Sequence, residues 1–170
     1  MKIFLRITRK LLEEILTDLS RPHPYAFERV AFVSCTVAEQ GHGDLLLLAS
    51  TLHPIADLDY EVDFTAGAML GAGAFRKALQ YSFSHSVAMF HIHRHEHVGQ
   101  PAFSSFDIRE SACFVPDFWN VQPKFPHGTL LLSHDSMSGL IWLPETQKAT
   151  SMSGFSIIGN PVREVEHGNR

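Results

Sequence analysis

The chain has only two cysteines in 170 residues, Cys35 and Cys113, in unrelated contexts. That excludes a disulfide framework or a Cys-rich structural zinc site and leads us to expect buried, reduced thiols. Positive charge is also scarce. Lys and Arg total 14 against 18 Asp and Glu, for a formal net charge of -4, and no basic cluster forms the electrostatic footprint of a nucleic-acid binder. Long apolar runs are missing too. Nothing approaches the length needed to span a bilayer, and the opening MKIFLRITRKLLEEIL is broken by Arg6, Arg9, Lys10 and two Glu, so no signal-peptide core forms. The expected setting is cytoplasmic, with neither membrane nor nucleic acid as partner.

Repeats, low-complexity tracts and linker-like runs are absent before the last ten residues. With 45% hydrophobic and 19% charged residues, the composition is that of a globular protein able to bury a core without disulfides or a structural metal. We therefore expect one domain over residues 1–160, followed by a short final strand that fades into a polar tail over 161–170.

The pattern predicts a strand at 2–7 and then a helix at 9–20, where Leu11, Leu12, Ile15, Leu16 and Leu19 form an amphipathic stripe ended by Pro22 and Pro24. Apolar strands around 28–35 and 44–51 are joined through Gly41 to Gly43 as a hairpin. Residues 53–66 look irregular. Phe75, Leu79 and Phe83 suggest a helix from Gly67 to Phe83 despite its glycines. A buried strand at 86–93, a helix from Ser104, a loop rich in proline and aromatics, and strands near 128–134, 139–143 and 153–159 complete the order. It supports an α/β chain of the α+β type, a mostly antiparallel mixed sheet flanked by helices.

The most informative segment is FHIHRHEHVG, in which His91, His93, His95 and His97 alternate. Residues two apart on a strand point the same way and lie roughly 6.6 Å apart along the backbone, so two imidazoles can converge on one ion. Ser104 and Asp107 follow at the i, i+3 spacing that places both on the first turn of a helix. Two His and one Asp around Zn2+ would leave a fourth position for water, the open coordination of a catalytic site. Other metal motifs fail. The zincin pattern would need His where Gly99 stands, the zinc deaminases need a Pro-Cys-x-x-Cys, and the metallo-β-lactamase pattern needs Asp and His where the chain has His95 and Glu96.

The set of a Glu well upstream, His-x-His, and Ser-x-x-Asp resembles the JAMM (JAB/MPN, Mov34-type) zinc metalloproteases. The frame His93/His95 fits the family spacing to Ser104 best, with His91/His93 open as the second frame, and Glu96 stands where the family commonly has proline. Glu28, at the head of the apolar stretch ERVAFVSC, matches the family's general base. The resemblance runs from the first helix to about residue 160. It implies a JAB/MPN-like, cytidine-deaminase-like architecture, zinc held by His93, His95 and Asp107, Glu28 as proton acceptor, and Ser104 as a helix cap that also holds the oxyanion.

The function so implied is hydrolysis of a peptide or isopeptide bond at the C-terminus of a ubiquitin-like protein, in the manner of stand-alone prokaryotic members. Such members accompany E1/E2-like conjugation enzymes or sulfur-carrier proteins. The alternatives are a catalytically inactive JAB/MPN scaffold that binds partners, and a relative of the DNA-repair-associated branch, which the acidic charge balance disfavours. His91 and His97 fall outside the chosen frame as candidates for orienting the ligands, with a surface role equally open to His97. Phe114, Phe118, Trp119 and Phe125 are expected in the core, with a recognition loop as the second reading. The remaining histidines, His23, His42, His53, His85, His127, His134 and His167, receive no role.

Overall fold

The computed structural model describes residues 1–22, 24, 27–63, 67–159 and 163–166. In chain order the elements are β1 (Ile3–Thr8), α1 (Arg9–Leu19), β2 (Val30–Glu39), β3 (Leu45–Pro54), β4 (Tyr60–Glu61), β5 (Met69–Leu70), α2 (Ala72–His85), β6 (Ala88–Arg94), α3 (Ser105–Trp119), β7 (His127–Leu132), β8 (Met137–Trp142), β9 (Ala149–Ser151), β10 (Gly154–Ile158) and β11 (Arg163–Glu166). Among the described residues nine strands form one mixed sheet in the order β11-β10-β1-β3-β2-β6-β7-β8-β9, and β4 pairs with β5 as a separate ribbon. Most pairings in the large sheet are antiparallel. The parallel ones join β1 to β3 and β10, and β6 to β7. A largely antiparallel mixed sheet flanked by helices is therefore what the chain builds.

Alternation along the central strands divides the core into two layers. Ala31, Val33 and Cys35 of β2 and Ala88, Phe90 and Ile92 of β6 face the layer that receives α1, while Val30, Phe32 and Met89 face the layer of α2 and α3. On the first side, α1 starts where Thr8 Oγ1 accepts the Leu11 N–H at 3.2 Å, a side-chain N-cap. Leu11, Ile15 and Leu19 are buried along one stripe, each contributing roughly 1.5–3 kcal/mol of apolar burial. On the second side, Ala74 and Ala78 of α2 and Phe118 of α3 close over Phe32. Their small and large side chains interlock on that face.

Several local expectations need correction. Helix α2 begins at Ala72, not Gly67, because Met69–Leu70 pairs with Tyr60–Glu61 first. The stretch 53–66 is accordingly less irregular than its composition suggests, although 64–66 lie outside the described residues. Helix α3 continues through Pro116 to Trp119, where the sequence predicted a loop. A proline inside a helix removes one hydrogen bond and costs about 3 kcal/mol or more, but burial of Val115 and Phe118 on either side offsets it. Cys35 is buried and Cys113 exposed, and both are free thiols, so only one of the two expected buried cysteines is buried. The final strand β11 pairs antiparallel with β10; residues 160–162 and 167–170 of the expected tail lie outside the described residues. Among the described residues no helix is long and apolar enough to cross a membrane.

His127, given no role by the sequence, holds β6 and the end of α3 in place. Fully buried at the start of β7, its Nδ1 accepts the Met89 N–H at 3.0 Å, so the proton sits on Nε2, which donates to the Gln122 carbonyl at 3.1 Å. Burial pushes its pKa down to about 4, against the smaller opposing effect of the Gln122 bond. The unfolded imidazole takes up a proton near pH 6.5 while the folded one stays neutral to about pH 4. As pH falls from 6.5 to 4 the unfolded state gains the extra proton, and folding stability falls with it. Between pH 7 and pH 5 His127 should therefore remove about 2 kcal/mol of unfolding free energy, measured by urea denaturation at the two pH values. The His127→Gln protein should show a correspondingly shallower pH dependence, and an unchanged slope would show that His127 is not among the titrating groups.

Candidate metal centre

The site is built by strand register. In the antiparallel pairing of β2 with β6, Val30 lies opposite His93 and Phe32 opposite His91. Carrying that register two residues further puts Glu28, just before β2, across from His95, just after β6. Residues two apart share a face, so Glu28, His91, His93 and His95 all project toward the α2/α3 side. The carboxylate of Glu28 and the imidazoles of His93 and His95 bring one ligand atom each to within 4.8 Å of one another.

Helix α3 delivers the fourth group. Its first turn is closed by a capping box in which Ser104 Oγ accepts the Asp107 N–H at 3.1 Å and Asp107 Oδ2 accepts the Ser104 N–H at 2.7 Å. This fixes the Asp107 carboxylate, leaving Oδ1 3.5 Å from His93 Nε2 and Oδ2 3.9 Å from His95 Nε2. Both distances exceed good hydrogen-bond lengths. Partial burial alone would raise the Asp107 pKa, but His93 and the Ser104 contacts outweigh it and hold the carboxyl well below the usual carboxylate range. Asp107 is thus an anion at neutral pH.

His93 is only 3% exposed, and neither of its ring nitrogens has a hydrogen-bond partner among the described residues. A buried imidazole left without a hydrogen bond, with only the long Asp107 contact beside it, is costly. Coordination to a cation would satisfy it, and two imidazoles with one or two carboxylates form a donor set suited to zinc. The residues fit the ion. In the sequence reading the ligands are His93, His95 and Asp107 with Glu28 as base; the tight cluster contains Glu28 with the two histidines, and Asp107 stands beside both rings.

The other candidates sort by geometry. His91 packs edge-on to Phe32 and against Phe114, with ring centroids at 5.7 and 5.4 Å. Its Nδ1 lies 3.5 Å from Thr129 Oγ1, and burial, followed by repulsion from His93, pushes its pKa down to about 3. It is outside the tight cluster. His97 contacts the Val98 carbonyl through Nδ1 at 3.2 Å and is exposed. Glu96, in the position where proline was expected, turns away to pair with Arg94 and His134. Ser104 is exposed, and its hydroxyl proton is not consumed by the cap, where the oxygen accepts. Phe114 and Phe118 lie on α3 and pack in the core layer against Phe75 and Phe32, Phe118 buried and Phe114 partly buried. Trp119 donates from its indole to the Phe125 carbonyl at 3.1 Å.

Gly67 escaped the sequence reading. Its carbonyl accepts both the Phe27 and Glu28 N–H groups at 2.9 Å, and a Cβ built on it would lie 2.8 Å from Glu28 Oε2. A side chain at this point would push the carboxylate aside. In sequence it was one of several glycines before α2, and nothing in its spacing distinguishes it.

No protein-family model and no curated protein sequence matches the chain. Among solved structures, the STIL N-terminal domain of Trichoplax adhaerens is similar over 81% of this chain, at 10% identity and a TM-score of 0.39. The chain spans 40% of that domain's length.

Zinc content of alanine variants tests the ligand set. His93→Ala and His95→Ala should each lose most of the metal, while His91→Ala should retain it, by elemental analysis after dialysis against a weak chelator. Zinc lost from His91→Ala and kept by His95→Ala would shift the frame to His91/His93.

Proposed function

We propose that this protein is a zinc-dependent metallopeptidase of the JAMM type that hydrolyses a peptide or isopeptide bond at the C-terminus of a ubiquitin-like protein. The observation that carries the reading is the convergence of Glu28, His93 and His95 beside Asp107, with both His93 nitrogens buried and neither hydrogen-bonded among the described residues. A JAB/MPN-like architecture is part of the proposal. It is supported by the mixed sheet with α1 on one face and α2 and α3 on the other, and by the delivery of Ser104 and Asp107 from the helix that follows the histidine strand.

His93, His95 and Asp107 would hold the ion. When bound, zinc acts as a Lewis acid that polarises the scissile carbonyl and acidifies the attacking water. Glu28 takes the proton of that water and returns it to the leaving amine, the two-way role of a carboxylate within reach of both groups. Gly67 keeps the Glu28 carboxylate from being pushed aside. Ser104 offers its hydroxyl proton to the developing oxyanion while its oxygen caps α3. No covalent enzyme intermediate is required.

The partners in this reading are a ubiquitin-like protein or its conjugates and the E1/E2-like enzymes that make them. Nucleic acid and membrane are not among them, in line with the net charge of -4. The free thiols Cys35 and Cys113 suit a reducing cytoplasm.

Glu28→Gln should keep zinc and fold while turnover falls about 10²- to 10⁴-fold, the usual effect of removing one proton-transfer group. Loss of zinc from this variant would make Glu28 a ligand instead of the base. The substrate is tested by incubating zinc-loaded protein with a panel of ubiquitin-like fusions and isopeptide conjugates and locating the cut by intact mass. Cleavage immediately after the modifier's tail, abolished by a chelator and restored by zinc, is the expected result. Conjugates left whole at full zinc occupancy would replace the peptidase with an inactive JAB/MPN scaffold.

A further inference from the structure

The metal-centre residues also close one end of a pocket of about 120 Å³. Glu28, His93 and Asp107 form that end. Met69, Leu70 and Phe75 line one side, Phe106 and Phe114 of α3 with the polar Glu110 and Ser111 line the other, and Val30 belongs to the sheet. The lining is chiefly apolar; Met69 and Leu70 are paired to β4, and the two walls meet where Phe75 and Phe114 pack ring to ring at 5.4 Å. A second cleft, lined by Arg21, Arg94 and Glu96, meets the cluster at Glu28 and His95 from the other side. A bond held at Glu28 would lie between an apolar pocket and a polar cleft.

We infer that the pocket between the β4–β5 ribbon and α3 is a specificity subsite for an apolar side chain, isobutyl to benzyl in size, on a residue flanking the scissile bond. At about 120 Å³ the pocket is somewhat smaller than the apolar cavity of about 150 Å³ that accepts benzene, so a branched aliphatic group fits within it and a benzyl group is the upper limit. The shared residues Glu28, His93 and Asp107 set its position, because a group in this pocket touches the atoms that act on the bond. As a substrate subsite it rests on the peptidase reading above; as a binding pocket it does not. It narrows that reading, since a bond flanked on both sides by glycine would leave the pocket empty.

The test has a binding arm and a turnover arm. The full chain is titrated with toluene and followed by NMR at the Met69 and Leu70 methyl groups, where saturable shifts are expected and should vanish in Leu70→Trp, which fills the pocket. Zinc-loaded protein is then given fusions that carry Gly, Ala, Leu, Phe or Lys in turn on either side of the cleaved bond. Leu or Phe at one of the two positions should raise kcat/KM by about tenfold or more over Gly, the scale of discrimination reached by apolar pockets. Leu70→Trp should reverse that order, and Phe114→Ala should favour Phe over Leu. Equal rates across the series, or a preference unmoved in both variants, overturn the subsite whatever toluene does, and leave the peptidase standing. Toluene binding with every fusion left whole overturns the peptidase and keeps an apolar ligand pocket. Cleavage without toluene shifts and without preference removes the pocket alone.

Discussion

The pairing of β2 with β6 is the constraint on which the site depends. Val30 opposite His93 puts Glu28 across from His95 and places three alternating histidines on the side of the sheet that α3 covers. Because side chains alternate at every residue, a one-residue slip would turn the histidines into the α1 layer. That layer is filled by Ala31, Val33, Phe90, Ile92 and the α1 leucines, so the slipped register would bury imidazoles among hydrocarbon. The apolar half of the same alternation thus enforces the polar half.

Helix α3 meets this constraint from the other direction. Its capping box fixes Asp107 through the backbone of Ser104, so the carboxylate is positioned by helix formation itself and needs no metal to orient it. The helix is anchored far from its first turn, by Val115 and Phe118 at its buried end and by His127 bridging Met89 and Gln122. Neutral, buried His127 therefore ties the strand that carries His91 and His93 to the segment that ends the helix facing them.

The two sides of the centre have different physical character. Toward α2 and α3 the cluster opens on hydrocarbon and aromatic edges. Toward Arg94 and Glu96 it opens on ion pairs. Glu28 stands at the junction, its backbone held by the Gly67 carbonyl and its carboxylate 2.8 Å from where a residue at 67 would place a Cβ. The same loop that admits Glu28 also begins the ribbon that walls the pocket.

Much of this was legible in the residues themselves. Apolar runs located β2, β3 and β6, and period-two alternation showed that His91, His93 and His95 share a face; the stripe Leu11, Ile15, Leu19 located α1; Ser104 three residues before Asp107 announced the cap of α3. These are local signals, because strand alternation, helical stripes and caps are written within a few neighbouring positions. Other features came only with the tertiary structure. Pro116 reads as a helix breaker until the burial of Val115 and Phe118 is seen to outweigh it, and Met69–Leu70 is too short to declare itself a strand without Tyr60–Glu61 beside it. The sequence could place Glu28 and the histidines on apolar strands, but their separation to within 4.8 Å, the room that Gly67 leaves and the neutral bridge of His127 depend on residues far apart in the chain. Such contacts are decided by register and packing between elements, which no local pattern encodes.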